Sequence, residues 1–205
     1  MIALLDYKAG NLTSVRKALA AIHADVFTPE TPEGLAGAGG IIVPGVGHFA
    51  ATRALDARWV DAIVASLGEG RPLLGICLGM QWLFEGSDEA PDLPGLGLLG
   101  GRCYRLSANG AEERLKIPHV GWNHMVFRGE GSIVEGVPDQ SQVYFTHSYV
   151  APITGDTVAV TEHGEAFASV VQRGQVAGVQ FHPEKSGEVG LQILRNFTAL
   201  TGDSN

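Results

Sequence analysis

The chain has 205 residues, 45% of them apolar and 18% charged, with a formal net charge of −8 at pH 7. That balance suits a globular domain with a sizeable core, and the negative charge argues against binding a nucleic-acid backbone or an anionic membrane. Cys77 and Cys103 allow one disulfide at most, and no charged segment followed by an apolar one opens the chain, so a reducing cytoplasm is the expected setting.

Residues 1–6 read as a short apolar strand. Residues 7–10 turn, and Asn11 caps a helix through Ile22 that puts Leu12, Val15, Leu19 and Ile22 on one face. Residues 25–28 form a second strand, 29–39 a Pro/Gly-rich loop and 40–44 a third strand. Strand, helix, strand in this rhythm predicts right-handed crossovers and a parallel sheet. Leu55, Trp59, Ile63 and Leu67, four apart, predict another amphipathic helix. Residues 72–76 are too short a run for a helix and read as a buried strand, followed by Cys77 and a helix-tolerant run over 78–84.

After Gly86 the pattern changes. Residues 91–101 read as a loop. Strand-like segments then follow without helices between them: 102–106, 113–117, 125–128, 143–150, 157–161, 167–172 and 176–181. They are expected to add antiparallel strands to the sheet or to form a small second sheet. A last amphipathic helix covers 189–200. The fold class is α/β, an open, mainly parallel sheet flanked by helices, with antiparallel strands added in the C-terminal half. No repeat or linker divides residues 1–205, which reads as one domain.

Gly75-x-Cys77-x-Gly79 has the form of a strand-to-helix elbow with a nucleophile at its tip. So sharp a turn crowds the backbone two residues either side, and glycine relieves it. A cysteine placed there heads a helix, where unpaired amides favour thiolate over thiol. The plainer reading is a small core cysteine after a strand. A nucleophile needs a base, and of the seven histidines His182 is the best placed. In Phe181-His182-Pro183-Glu184 it ends an apolar strand, where functional groups of open α/β sheets gather, and Glu184 points to its side of an extended chain. His147, in Thr146-His147-Ser148, is the main rival. Pro44-Gly45-Val46-Gly47, directly after a strand, can bring backbone amides to an oxyanion, as can Leu78. No cysteine–histidine spacing suits a structural zinc site.

Together, Gly75–Gln81 and Phe181–Glu184 resemble the class I, or triad, glutamine amidotransferases. Pro44–Phe49, Asp6-Tyr7 with Gly10-Asn11, Gly121-Trp122-Asn123, Tyr144–Tyr149 and Lys185-Ser186 are most similar to the glutaminase subunits of imidazole glycerol phosphate synthases. The resemblance runs from Asp6 to Ser186. It implies Cys77 as nucleophile, His182 as acid and base, and Glu184 as its orienter. It implies Gly45, Val46, Gly47 and Leu78 around the oxyanion, Val46 after a peptide rotation, and Gln81, Glu89, His147 and Ser148 around glutamine. It also implies a (β/α)8-barrel cyclase partner in a heterodimer, met through Asn11, Trp122, Asn123 and Lys185, with no cofactor and no metal. Trp122 reads equally well as plain core. A glutaminase serving another synthase (anthranilate, carbamoyl phosphate or pyridoxal phosphate), a stand-alone cysteine hydrolase and a scaffold without turnover stay open. Met80 speaks against the first two synthases and Leu78-Gly79 against the third.

Overall fold

The computed structural model describes residues 1–107 and 115–202. Its main sheet has eight strands. Five run parallel: β2 (Val26–Phe27), β1 (Ile2–Leu4), β3 (Gly40–Gly45), β4 (Leu73–Cys77) and, far on in sequence, β13 (Val176–Val179). Antiparallel strands β12 (Glu165–Arg173), β11 (Thr157–His163) and β8 (Val126–Phe127) extend the β13 side. The central parallel strands are buried along their whole length, as expected of strands covered on both faces. Two smaller sheets stand beside the main one among the described residues. One joins β5 (Gly86–Ser87), β6 (Arg102–Arg105) and β10 (Tyr149–Val150). The other pairs β7 (His119–His124) with β9 (Gln142–His147).

Helices α1 (Leu12–Ala21) and α4 (Gly187–Leu200) share one core with the sheet, built on Val15, Leu19, Ile193, Leu194 and Phe197. Helix α2 (Ala57–Gly68) packs into the opposite core through Ile63, with Trp59 and Leu67 at its margin. Burying each such large side chain stabilises the fold by about 1.5–3 kcal/mol before entropy is counted. Capping follows the sequence: Asn11 accepts from the Ser14 amide, and Asp56 from those of Arg58 and Trp59.

Several expected boundaries shift, each for a local reason. Pro32 opens a 3-10 turn (Pro32–Gly37) inside the predicted loop and buries Leu35. Leu55 is buried but precedes α2, because Asp56 is the cap and Phe49–Ala54 form a 3-10 turn. The helix after Cys77, α3, is only Leu78–Trp82. The predicted strand over 143–150 breaks at Ser148 into β9 and β10, which lie in different sheets. Of the strand predicted over 113–117, Glu113 and Arg114 lie outside the described residues, and 115–117 are not in a strand. The strand in that region is β7, whose glycine, histidines and asparagine hide it from a propensity reading.

Candidate active site

The carboxyl ends of β3, β4 and β13 stand side by side, and three sequence motifs follow from that. Gly45 pairs in register with Cys77, and Val179 pairs with Ile76. The Pro44–Gly47 loop, the cysteine and the His182 segment therefore emerge at one edge, where open α/β sheets place ligands. Cys77 is the turning point between β4 and α3, with φ +53° and ψ −107°, a left-handed conformation that L residues avoid. Its flanking glycines have no room for a side chain. A Cβ on Gly75 would meet Gly79 O at 2.6 Å, and one on Gly79 would meet Val43 O at 1.8 Å. Gly45 is packed as closely, its Cβ position being 2.2 Å from the Tyr7 hydroxyl.

His182 is buried, and its Nδ1 lies 2.8 Å from Glu184 Oε1 across the 3-10 turn Pro183–Lys185. Ser186 fixes that turn to β9. Its hydroxyl donates to His182 O at 2.6 Å and accepts from the Tyr144 amide at 3.0 Å. Since the carboxylate accepts, Nδ1 carries the proton and Nε2 is the nitrogen left over. Nε2 is buried and makes no hydrogen bond of standard geometry. Burial alone works against a charged ring. The Cys77 thiolate, as charge and as acceptor, outweighs it together with Glu184 and pushes His182 up to about 10. The charged form of the His182 ring is thereby favoured beside Cys77 and Glu184.

The rival, His147, has no free nitrogen. Its Nδ1 is 3.1 Å from the Tyr149 carbonyl, which can only accept, and its Nε2 is 3.2 Å from His119 Nδ1. Burial, with His119 adding, holds it down to about 3; burial, with His163 adding, holds His119 down to about 4. Both rings stay neutral and structural. Cys103 is equally removed from chemistry, buried with its thiol pushed up by desolvation.

A cavity of about 310 Å³ opens over the sulfur. Cys77, Leu78, Gln81, Glu89 and Gly47 line it on one side and Thr146–Tyr149 on the other, so His147 and Ser148 reach it from the break between β9 and β10. A larger cavity of about 610 Å³ lies against the N-terminal strand and contains none of these groups. Glu89 also accepts from the Phe49 amide at 2.6 Å, tying the pocket wall to the segment after the glycine loop. Gly45 and Val46 are set back from the cavity, and the Val46 amide donates to Ala9 O at 2.6 Å. Trp122 is not core: it is 54% exposed, edge-on to Tyr144, with Val120 exposed beside it. Lys185 sits over the other aromatic of that pair, 5.6 Å from the Tyr144 ring centre. Asn11 is exposed at the head of α1, and Asn123 is half-buried, its amide donating to Glu162 O.

Comparison with known proteins fits this geometry. The family model "Glutamine amidotransferase class-I" matches residues 3–200. The imidazole glycerol phosphate synthase subunit HisH of Moorella thermoacetica is 44% identical over 203 residues, spanning 97% of this chain and 94% of that protein. Its counterpart in Thermococcus kodakarensis is 43% identical over 206 residues, spanning 98% and 100%. The chain belongs to the HisH family of class I glutamine amidotransferases. A crystal structure of a glutamine amidotransferase, 22% identical to this HisH-family chain, covers 98% of both chains with a TM-score of 0.75, a likeness of fold. One residue beside the HisH-family triad motifs was missed from sequence. Gln180 is fully buried and touches both Cys77 and Gln81. Its position two before His182, at the end of a strand parallel to β4, was the available signal.

Proposed function

We propose that this chain hydrolyses glutamine to glutamate and ammonia through Cys77, His182 and Glu184, as the glutaminase subunit of an imidazole glycerol phosphate synthase. One observation carries the reading: a buried His182–Glu184 pair whose free nitrogen faces a cysteine held at a strained elbow, over a polar pocket. The Cys77 thiolate attacks the side-chain carboxamide carbon. As the C–N bond breaks, His182 Nε2 gives its proton to the leaving nitrogen, and a glutamyl thioester remains. Neutral His182 then takes a proton from water, whose oxygen attacks the thioester; the C–S bond breaks and glutamate leaves. Glu184 keeps the ring oriented and steadies its charge.

The oxyanion is met by the Leu78 amide and by Val46, once the Gly45–Val46 peptide has turned its N–H away from Ala9 O. Gly45 and Gly47 leave that peptide free of side-chain bulk. Gln81 and Glu89 hold the amino-acid head of glutamine, with His147 and Ser148 lining the pocket largely by backbone. Ammonia passes to a (β/α)8-barrel cyclase subunit, bound as a heterodimer through Asn11, Trp122, Asn123 and Lys185, where it yields imidazole glycerol phosphate and aminoimidazole carboxamide ribotide. Residues 1–205 act as one amidotransferase domain in the cytoplasm; among the described residues no helix is long and apolar enough to cross a membrane. The test is glutamate release in the presence of the cyclase barrel. Cys77→Ala, His182→Ala and Glu184→Ala should each lower it by more than about 100-fold. Wild-type rates in Cys77→Ala would contradict the proposal.

A further inference from the structure

Gln180 belongs to no part of the triad, yet it is placed to act on it. It follows β13 directly, and because Val179 pairs with Ile76 it comes level with Cys77. Its side chain is fully buried, with Nε2 3.6 Å from Cys77 Sγ and Oε1 3.0 Å from Gln81 Nε2. The orientation of both carboxamides follows from an atom that can only accept. The Tyr149 carbonyl lies 2.7 Å from Gln81, so Gln81 turns its NH₂ group that way. The same NH₂ meets Gln180, which answers with its oxygen. Gln180 is left with an N–H toward the sulfur, where a donor favours thiolate over thiol.

We propose that Gln180 is a positioning residue for the Cys77 nucleophile, its carboxamide locked by Gln81 and the Tyr149 carbonyl so that an N–H holds the sulfur at the pocket floor. The inference deepens the glutaminase reading and rests on it. Gln81 also lines the cavity, so the side chain that faces glutamine fixes the one that fixes the nucleophile. A fully buried carboxamide is costly unless both ends are satisfied, and here both are. Among the described residues, the titratable groups around Cys77 are His182, with Glu184 behind it, Tyr7, and, on the walls of the cavity, Glu89, His147 and Tyr149. None is altered by substituting Gln180.

The experiment is the pH dependence of Cys77 alkylation by iodoacetamide in the full chain, read by peptide mass spectrometry that separates Cys77 from Cys103. Glutamate release with the cyclase barrel is measured alongside. Gln180→Glu keeps an acceptor for Gln81 but puts an oxygen against the sulfur; Gln180→Leu removes both contacts. Both should move the alkylation midpoint up by about one pH unit, making alkylation below it about tenfold slower, with the larger shift in Gln180→Glu. In Gln180→Glu kcat should fall with little change in KM, whereas Gln180→Leu should also raise KM through the loosened Gln81. Should Gln180→Leu not fold, Gln180→Asn, which keeps the amide but withdraws it from the sulfur, decides the same point. An alkylation profile unchanged in the folded variants would overturn the proposal. A profile that depends on Gln180 in a chain releasing no glutamate would instead overturn the glutaminase reading and leave the positioning role standing.

Discussion

The closest packing around the elbow lies between Gly79 and the backbone of β3, and Gly79→Ala tests it. The added Cβ would sit 1.8 Å from Val43 O and 2.8 Å from Val43 C. Real Cβ contacts stop at about 3.0 Å, so the first turn of α3 must retreat by roughly 1.2 Å. No flexible side chain can yield, since the clash is with main chain of a fully buried strand. The cost falls at the upper end of overpacking, about 3 kcal/mol, which for a chain of this size lowers the melting temperature by about 6–12 °C. Because Cys77 is joined directly to that turn, the displacement moves the sulfur too, and a misplacement of about 1 Å costs about 100-fold in rate. Gly68→Ala is the control, exposed at the end of α2 with nothing within 4 Å of its Cβ. It should leave activity intact and stability equal or higher by up to about 1 kcal/mol. Thermal unfolding and glutamate release with the barrel read both effects. A Gly79→Ala protein that melts within about 2 °C of wild type and keeps its kcat would refute the steric account of the elbow.

Other expectations bear on the triad, the exposed face and the buried histidines. Glu184→Gln retains an acceptor for His182 but loses the charge, so kcat should drop about 10²–10⁴-fold with KM little changed; wild-type kcat would remove Glu184 from the mechanism. Trp122→Ala should weaken cyclase binding about 30-fold while costing the isolated chain less than about 1 kcal/mol, because the indole is 54% exposed. Equal losses of binding and folding stability would count against an interface role. His119 and His147 carry folded values of about 4 and about 3, depressed by burial, so the unfolded chain takes up their protons first. Their stabilising contribution is full above the ordinary imidazole value and is lost as pH falls through 4 toward 3. Denaturant titrations from neutral to acid pH should show this decline, and His119→Gln should flatten it; an equally steep decline would assign it to other groups.

The grouping of the candidate site was legible because its contacts are local. Glycines two residues either side of Cys77 announce the elbow, and His182 and Glu184 are near neighbours whose 2.8 Å contact needs no tertiary information. The parallel order of β1, β3 and β4 followed from alternating strands and helices. What stayed hidden depends on partners distant in sequence. Gln180 gains its meaning from a cysteine 103 positions earlier. The neutrality of His147 needs His119 and the Tyr149 carbonyl. The orientation of the Val46 amide toward Ala9 is a backbone fact that no side-chain pattern encodes. Strand β7 was missed because its side chains alternate in burial without being apolar, and the exposure of Trp122 depends on that strand.

The most direct test of the whole account is glutamate release from glutamine by the purified chain alone and again with the cyclase barrel and its nucleotide ligand, with Cys77→Ala as control. With the Val46 amide held by Ala9 O, the account predicts slow release by the chain alone and a large, Cys77-dependent rise when barrel and ligand are present. Release that is fast without the barrel and indifferent to it would contradict the coupled-subunit assignment, and release that survives Cys77→Ala would contradict the chemistry.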